Sequence, residues 1–127
     1  MPPEPVALRF GGTTVRHFAD HTVTSLPGGG EVVAAPQDND AYRVTAERLG
    51  YGADTLRMMR DHEAGHAAVS ALIGLPESPT LRRVADGTGD TVLTGLEEDA
   101  VCALQAFANA AGADLFAALA RLSQALR

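Results

Sequence analysis

The chain has 127 residues, a hydrophobic content of 46% and a formal net charge of -6, which predicts one small globular domain over residues 1–127. A net negative surface disfavours nucleic acid or an anionic membrane as a partner, so peptides, proteins or small molecules are expected instead. One cysteine, Cys102, cannot form an internal disulfide, and no leader-like or long apolar run is present. We therefore expect a cytoplasmic protein.

The first third of the chain predicts an antiparallel β-meander. Short runs with β-branched residues (VALRF, TTVRHF, HTVTSL and EVVAA) fill residues 6–35 and are separated by short turns, two of them glycine-rich. Glycine reaches the positive φ angles that tight hairpins need. Residues 38–40 then offer side-chain oxygens that can cap a helix from about residue 41 to 49, and Gly50 ends it.

The next helix is predicted from Leu56 to Ile73, because apolar and histidine positions recur there at helical spacing. Asp54 can cap its start and Gly74 can end it. Residues 75–95 are rich in Pro, Gly and Asp and predict a loop, with a short hairpin across residues 86–90.

An alanine-rich stretch from Leu96 to the end predicts further helix, with a break at Gly112 and a new cap at Asp114. The sequence thus predicts an α+β fold: a small N-terminal antiparallel meander followed by three to four helices, with the histidine helix at the centre.

Within that helix, His62 and His66 lie in the middle of the apolar stripe. An unpartnered buried imidazole costs about 1–3 kcal/mol, so the pair needs partners. Side chains at i and i+4 share a face, which lets two imidazoles converge on one metal ion. Glu63 lies beside the pair, where a carboxylate can take a proton from a metal-bound water. Gly65, in mid-helix, predicts a close approach by a neighbouring element.

The stretch His62-Glu63-Ala64-Gly65-His66 matches the HExxH signature of zincin metallopeptidases. The wording HEAGHA resembles the peptidase helix of membrane-anchored ATP-dependent zinc proteases, although the sequence shows neither their ATPase module nor their transmembrane segment. The resemblance implies Zn²⁺ bound by His62 and His66, Glu63 as catalytic base, and a peptide or protein substrate.

A catalytic zinc ion takes three protein ligands, and no histidine follows His66. The acidic run Glu97, Glu98 and Asp99 offers a third ligand on the next helix. Glu97 is preferred, because it shares a face with apolar residues that are expected to turn toward the core. Glu98 instead aligns with a polar row formed by Cys102, Gln105 and Asn109.

Two alternatives for the third ligand remain open. The stretch Thr94-Gly95-Leu96-Glu97 has the form of a capping box, in which Glu97 caps the N-terminus of the helix and does not bind a metal. His17 or His21, on or beside a predicted hairpin turn, can complete the site from the sheet. The acidic stretch also loosely resembles the acidic helix of regulatory zinc peptidases of mobile elements, with Val101 in place of their usual Asp or Asn.

Other functions compete with a zinc-dependent metallopeptidase or amide hydrolase. One is a non-catalytic interaction or accessory protein, of phage or mobile-element type, with a structural or vestigial HExxH helix. Another takes Glu63 and His66 as half of a di-iron carboxylate site, which requires a second ExxH motif from a dimer partner.

Overall fold

The computed structural model describes residues 6–37 and 39–126. Its N-terminal part is a four-stranded sheet of β1 (Val6–Phe10), β2 (Thr13–His17), β3 (Thr22–Ser25) and β4 (Glu31–Ala34). The strands pair in the order β1-β2-β3-β4, each antiparallel to the next. The predicted meander is therefore confirmed.

The first hairpin shows how the sequence sets the register. Phe10 pairs with Thr13, which leaves a two-residue turn whose first residue, Gly11, has φ of +60°, an angle that favours glycine. With that register Leu8, Phe10 and Val15 all lie buried on the same side of the sheet as the helices, as the alternation of side chains along a strand requires.

Within the described residues, five helices follow the sheet: α1 (Asp40–Arg48), α2 (Thr55–Leu72), α3 (Pro79–Asp86), α4 (Thr91–Ala110) and α5 (Leu115–Ala125). Each begins at a polar residue whose side chain accepts a backbone N–H of the first turn, namely Asn39, Asp54, Ser78, Asp90 and Asp114. The α+β class and the histidine helix agree with the prediction, and α3 is the added element.

The prediction of a loop over residues 75–95 with a hairpin at residues 86–90 is wrong, because α3 occupies part of it. Ser78 caps α3, Pro79 fits its first turn, and Gly87, at φ of +79°, ends it. Arg82 on α3 donates to the carbonyls of Pro27 and Gly29 at 2.9 and 3.1 Å, which ties the helix to the β3–β4 turn.

The alternative of a capping box at Thr94 is also wrong. The helix α4 begins earlier, because the carboxylate of Asp90 accepts the N–H groups of Val92 and Leu93, each at 2.9 Å. Thr94 therefore lies inside the helix, where its hydroxyl donates to the Asp90 carbonyl at 2.8 Å. Glu97 is left free for contacts with other elements.

The predicted break in the alanine-rich segment is confirmed. The helix α4 ends at Ala110, Gly112 has φ of +70°, and the Asp114 side chain accepts the Ala117 N–H at 3.1 Å to start α5. The new direction brings α5 back to the sheet, where the Ser123 hydroxyl donates to the Arg9 carbonyl at 2.8 Å and accepts the Arg9 N–H at 2.9 Å.

The helix α2 lies at the centre of the fold, in contact with the sheet and with the other four helices. Its small residues Ala64, Ala67 and Ala68 are buried in the main core, which lets its backbone approach the sheet closely. On the opposite side, a Cβ added at Gly65 would lie 2.9 Å from Val101 Cγ1 on α4. Gly65 therefore permits the close contact of α2 with α4, as predicted.

Among the described residues, no single helix combines the length and the apolar composition that a membrane crossing requires, and α4 and α5 meet both criteria only as a pair that is bent by 119°.

Candidate metal centre

The contact between α2 and α4 brings two histidines and a glutamate to one point. His62 Nε2 and His66 Nε2 lie 3.1 Å apart. Glu98 Oε2 lies 2.8 Å from His66 Nε2 and 3.1 Å from His62 Nε2. Cys102, one turn after Glu98, places its Sγ 3.6 Å from Glu98 Oε1. We call His62, His66, Glu98 and Cys102 the α2–α4 cluster.

The Nδ1 atom of His66 is hydrogen-bonded to a buried carboxylate, that of Glu97. His66 is 1% exposed, and its Nδ1 donates to Glu97 Oε1 at 2.7 Å. The same Glu97 oxygen accepts the hydroxyl of Ser78, the cap of α3. Glu97 therefore fixes the ring of His66 and directs its Nε2 toward Glu98.

The Nδ1 atom of His62 is hydrogen-bonded to the side-chain amide of Gln105. His62 Nδ1 lies 2.8 Å from Gln105 Oε1, while Gln105 Nε2 donates to the Met58 carbonyl at 3.0 Å and to Tyr51 Oη at 3.1 Å. Because the Met58 carbonyl can only accept, the orientation of the Gln105 amide is set, and Gln105 Oε1 must accept a hydrogen bond from the N–H at His62 Nδ1. The neutral form of His62 thus has its lone pair on Nε2.

A buried aspartate extends this network. Asp61 is 1% exposed, accepts the Tyr51 hydroxyl at 2.8 Å, and pairs with Arg60 at 2.9 Å. Burial, and then the hydrogen bond to Asp61, raise the pKa of Tyr51 well above its usual range. Tyr51 therefore stays a neutral phenol, which accepts from Gln105 and donates to Asp61.

Both imidazoles consequently direct Nε2 at the same small space, next to a carboxylate. Two nitrogen lone pairs 3.1 Å apart repel each other unless a proton or a cation lies between them. Burial alone would lower the pKa of His66, but its hydrogen bonds to Glu97 and Glu98 outweigh burial and raise that pKa to about 9. The cluster thus has a strong affinity for positive charge.

The donor set fits a zinc ion. Two imidazole nitrogens and one carboxylate are a ligand set found in catalytic zinc sites. Histidines that bind metal commonly donate their other N–H to a carboxylate or another acceptor, as His66 does to Glu97 and His62 to Gln105. Hydrogen bonds to His62 and His66 hold the pKa of Glu98 well below its ordinary value, so it is an anion.

Glu63 lies beside the cluster and has one free oxygen. It is 7% exposed, and its Oε2 is buried with no hydrogen-bond partner among the described residues. Burial raises the pKa of Glu63, against the effect of the positive charges of His62 and His66. A buried carboxyl with a raised pKa next to two imidazoles is a suitable proton acceptor.

Two cavities open next to these side chains. One, of about 260 Å³, is lined by His62 and Glu98 together with apolar residues of α1 and α2. The other, of about 390 Å³, is lined by Glu63 and residues of β4, with Val84 of α3 also present. Tyr42 and Met59 line both cavities, so the cavity beside His62 and the cavity beside Glu63 adjoin at these two side chains.

The residues predicted from sequence fall into two groups. His62, Glu63, His66 and Glu98 come together, with Glu97 directly behind His66. Asp99 is exposed and is not part of the cluster.

His17 and His21 are engaged elsewhere. His17 Nδ1 lies 3.3 Å from the Thr22 hydroxyl, and its ring packs against Phe116. His21 pairs with Asp20 at 2.6 Å and stacks on Phe18. Their contacts thus lie in the sheet and its β2–β3 turn, with α5 on one side.

Sequence reasoning missed Gln105, Tyr51, Ser78 and Cys102 as parts of the site. For Gln105 and Cys102 a signal existed, because both align with Glu98 along one face of α4, at spacings of four and seven residues. Tyr51 and Ser78 precede helices and carry no periodic signal, so only the tertiary fold reveals their contacts.

In comparisons with known proteins, no family model, no curated protein and no solved structure matches the chain.

Proposed function

We propose that this protein is a zinc-dependent peptidase of zincin type. The observation that carries the proposal is the convergence of His62 Nε2, His66 Nε2 and the Glu98 carboxylate within 2.8 to 3.1 Å of one another. Beside them lies a Glu63 carboxyl oxygen that has no hydrogen-bond partner in the part of the chain that the structure describes. The resemblance of His62-Glu63-Ala64-Gly65-His66 to the HExxH signature supports the same chemistry.

The ligands in this proposal are His62, His66 and Glu98. Glu97, preferred from the sequence, has the supporting role of accepting the His66 Nδ1 proton. A zinc ion held there would polarise a substrate carbonyl and lower the pKa of water at the site toward about 7.

Glu63 is the general base in this proposal. Among the described residues, its Oε2 has no partner to release before it accepts a proton, and burial raises its pKa, which makes the carboxylate a stronger base. It therefore takes a proton from the attacking water and returns it to the leaving amine when the peptide bond breaks.

The substrate in this proposal is an extended peptide lying along β4. This strand is at the end of the sheet order, so its outer backbone edge can pair with a peptide added as a further strand. The cavity that contains Glu63 runs along residues 32–35 and is lined mainly by apolar side chains. Small or medium apolar side chains near the cleaved bond should be favoured.

The test uses a library of unstructured peptides and detects cleavage by mass spectrometry, with zinc-loaded protein. The Glu63→Gln variant should keep bound zinc and lose cleavage, because glutamine cannot accept the proton. Glu47→Gln, at an exposed position on α1, is the matched control and should cleave normally. Equal cleavage by Glu63→Gln would exclude Glu63 as the base.

A second outcome separates the competing function. If wild-type protein binds zinc and cleaves no peptide at any zinc concentration, the protein is a non-catalytic accessory protein in which the HExxH helix supports a structural metal site. That outcome would contradict the peptidase proposal and leave the ligand assignment intact.

A further inference from the structure

Cys102 occupies a position that the proposed peptidase chemistry does not require. It lies one turn after Glu98 on α4, as His66 lies one turn after His62 on α2. Residues at i and i+4 share a helix face. The interface between α2 and α4 therefore contains two such pairs, and metal sites in helical bundles are built from facing helices in this way.

The distances place the thiol beside His62 and Glu98. Cys102 Sγ lies 3.6 Å from Glu98 Oε1, and the ligand atoms of His62, Glu98 and Cys102 all lie within 4.8 Å of one another. Its hydrogen bond is to Glu98, a proposed ligand. Thiolate sulfur is also a ligand that zinc accepts together with imidazole and carboxylate.

We propose that the Cys102 thiolate is a fourth protein ligand to the metal and closes the site in its resting state. This inference rests on the metal site of the proposed function and concerns its regulation. Zinc sites with four protein ligands are structural and closed, whereas catalytic sites keep one position for water. Cys102 consequently competes with water for the fourth position, which lowers the rate of peptide cleavage by wild-type protein without abolishing it.

A purely apolar role for Cys102 makes a different prediction. The side chain also packs at the margin of the core cluster formed by Ala46, Leu49, Tyr51 and Met58, where a thiol acts as a small hydrophobic group. In that role Cys102 would affect stability without contributing sulfur to the metal, so a sulfur-specific signal distinguishes the two roles.

The experiment loads the full chain with Co²⁺ and records its absorption spectrum. A bond from thiolate to Co²⁺ gives a charge-transfer band in the near ultraviolet, and Cys102 is the single cysteine of the chain. Wild-type protein should show this band. Cys102→Ser and Cys102→Ala should bind Co²⁺ without it, and zinc affinity should fall by about tenfold or more.

Ala106→Ser, one turn farther along α4, is the matched control and should keep the band. Wild-type protein that binds Co²⁺ without the band would overturn the role of Cys102 and leave the three-ligand site standing. Wild-type protein that binds no Co²⁺ and no zinc would overturn the proposed function as well. With the band present, a rise in peptide cleavage for Cys102→Ala would further support the competition of Cys102 with water.

Discussion

The Nε2 atoms of His62 and His66 lie 3.1 Å apart in the interface between α2 and α4. Each ring uses its Nδ1 for a hydrogen bond to a buried acceptor, Gln105 or Glu97, so neither ring can turn without losing that bond. Two fixed nitrogen atoms at this distance need positive charge between them. A proton provides it when metal is absent, and a divalent ion would replace the proton.

The stability of the metal-free protein should therefore depend on pH. The pKa of His66 is raised from 6.5 to about 9, so its contribution to stability is complete below pH 6.5 and is lost as the pH rises through about 9. Glu63, whose pKa burial raises, acts in the same direction. The pKa of Glu98 is lowered, so Glu98 contributes to stability above pH 4.5, and that contribution is lost as the pH falls below this value.

Urea unfolding in the presence of a chelator checks this expectation. The midpoint should be higher at about pH 5.5 than at about pH 9.5, and His66→Gln should reduce the difference. The same midpoint at both pH values in wild-type protein would contradict the assignment of a shared proton to this cluster.

Glu98 and Glu97 should differ in their effects on zinc binding. Glu98→Gln removes a proposed ligand and should weaken zinc binding by more than about 100-fold, whereas Glu97→Gln loses only an outer partner and should weaken it by about 10- to 100-fold. Competition with a chromophoric chelator measures both affinities, and exposed Asp99→Asn is the control. A greater loss for Glu97→Gln would reverse the two assignments.

Gln105 should orient His62 for metal binding. Gln105→Leu removes the acceptor of the Nδ1 proton and should lower zinc affinity by about 10- to 100-fold, whereas Gln105→Glu keeps an acceptor and should retain more affinity. Gln124→Leu, the same substitution at an exposed position on α5, is the control. Equal zinc affinities for Gln105→Leu and wild type would contradict this role.

Gly65 should be required for the contact between α2 and α4. An alanine gains about 1 kcal/mol of helix propensity, but its Cβ would lie 2.9 Å from Val101 Cγ1, and overpacking costs about 1–3 kcal/mol. We expect Gly65→Ala to lower the free energy of unfolding by up to about 2 kcal/mol.

Adding Val101→Ala makes room for the alanine side chain. In a double-mutant cycle measured by urea unfolding, the two substitutions should therefore have a favourable coupling free energy of about 0.5 kcal/mol or more. Strict additivity would show that the close approach of the helices does not depend on Gly65.

Local patterns in the sequence predicted most of the fold. Glycine turns predicted the meander, the break at Gly112 is visible in the chain, and the histidine helix is one residue from its predicted ends. The helix α3 was missed because proline and glycine were interpreted as loop signals. Pro79 instead occupies the first turn of a helix, and Gly87 follows its last turn.

The sequence was enough to predict which helix faces carry the site residues, but not which contacts those residues make. Periodicity places His62, Glu63 and His66 together, and it places acidic residues on the following helix. It cannot determine which nitrogen of His66 each carboxylate meets, because both Glu97 and Glu98 lie near the interface. That distinction depends on the depth of α4 against α2, which Gly65 and Val101 set through a tertiary contact.

Zinc stoichiometry is the most direct test of the central claim. Wild-type protein, and variants in which His62, His66 or Glu98 is replaced by glutamine or alanine, are stripped with chelator, titrated with zinc by calorimetry, and analysed for bound metal after gel filtration. The account predicts one tightly bound zinc ion per chain in wild-type protein and a large loss of affinity in all three variants. Wild-type protein that remains folded and binds no zinc would contradict it.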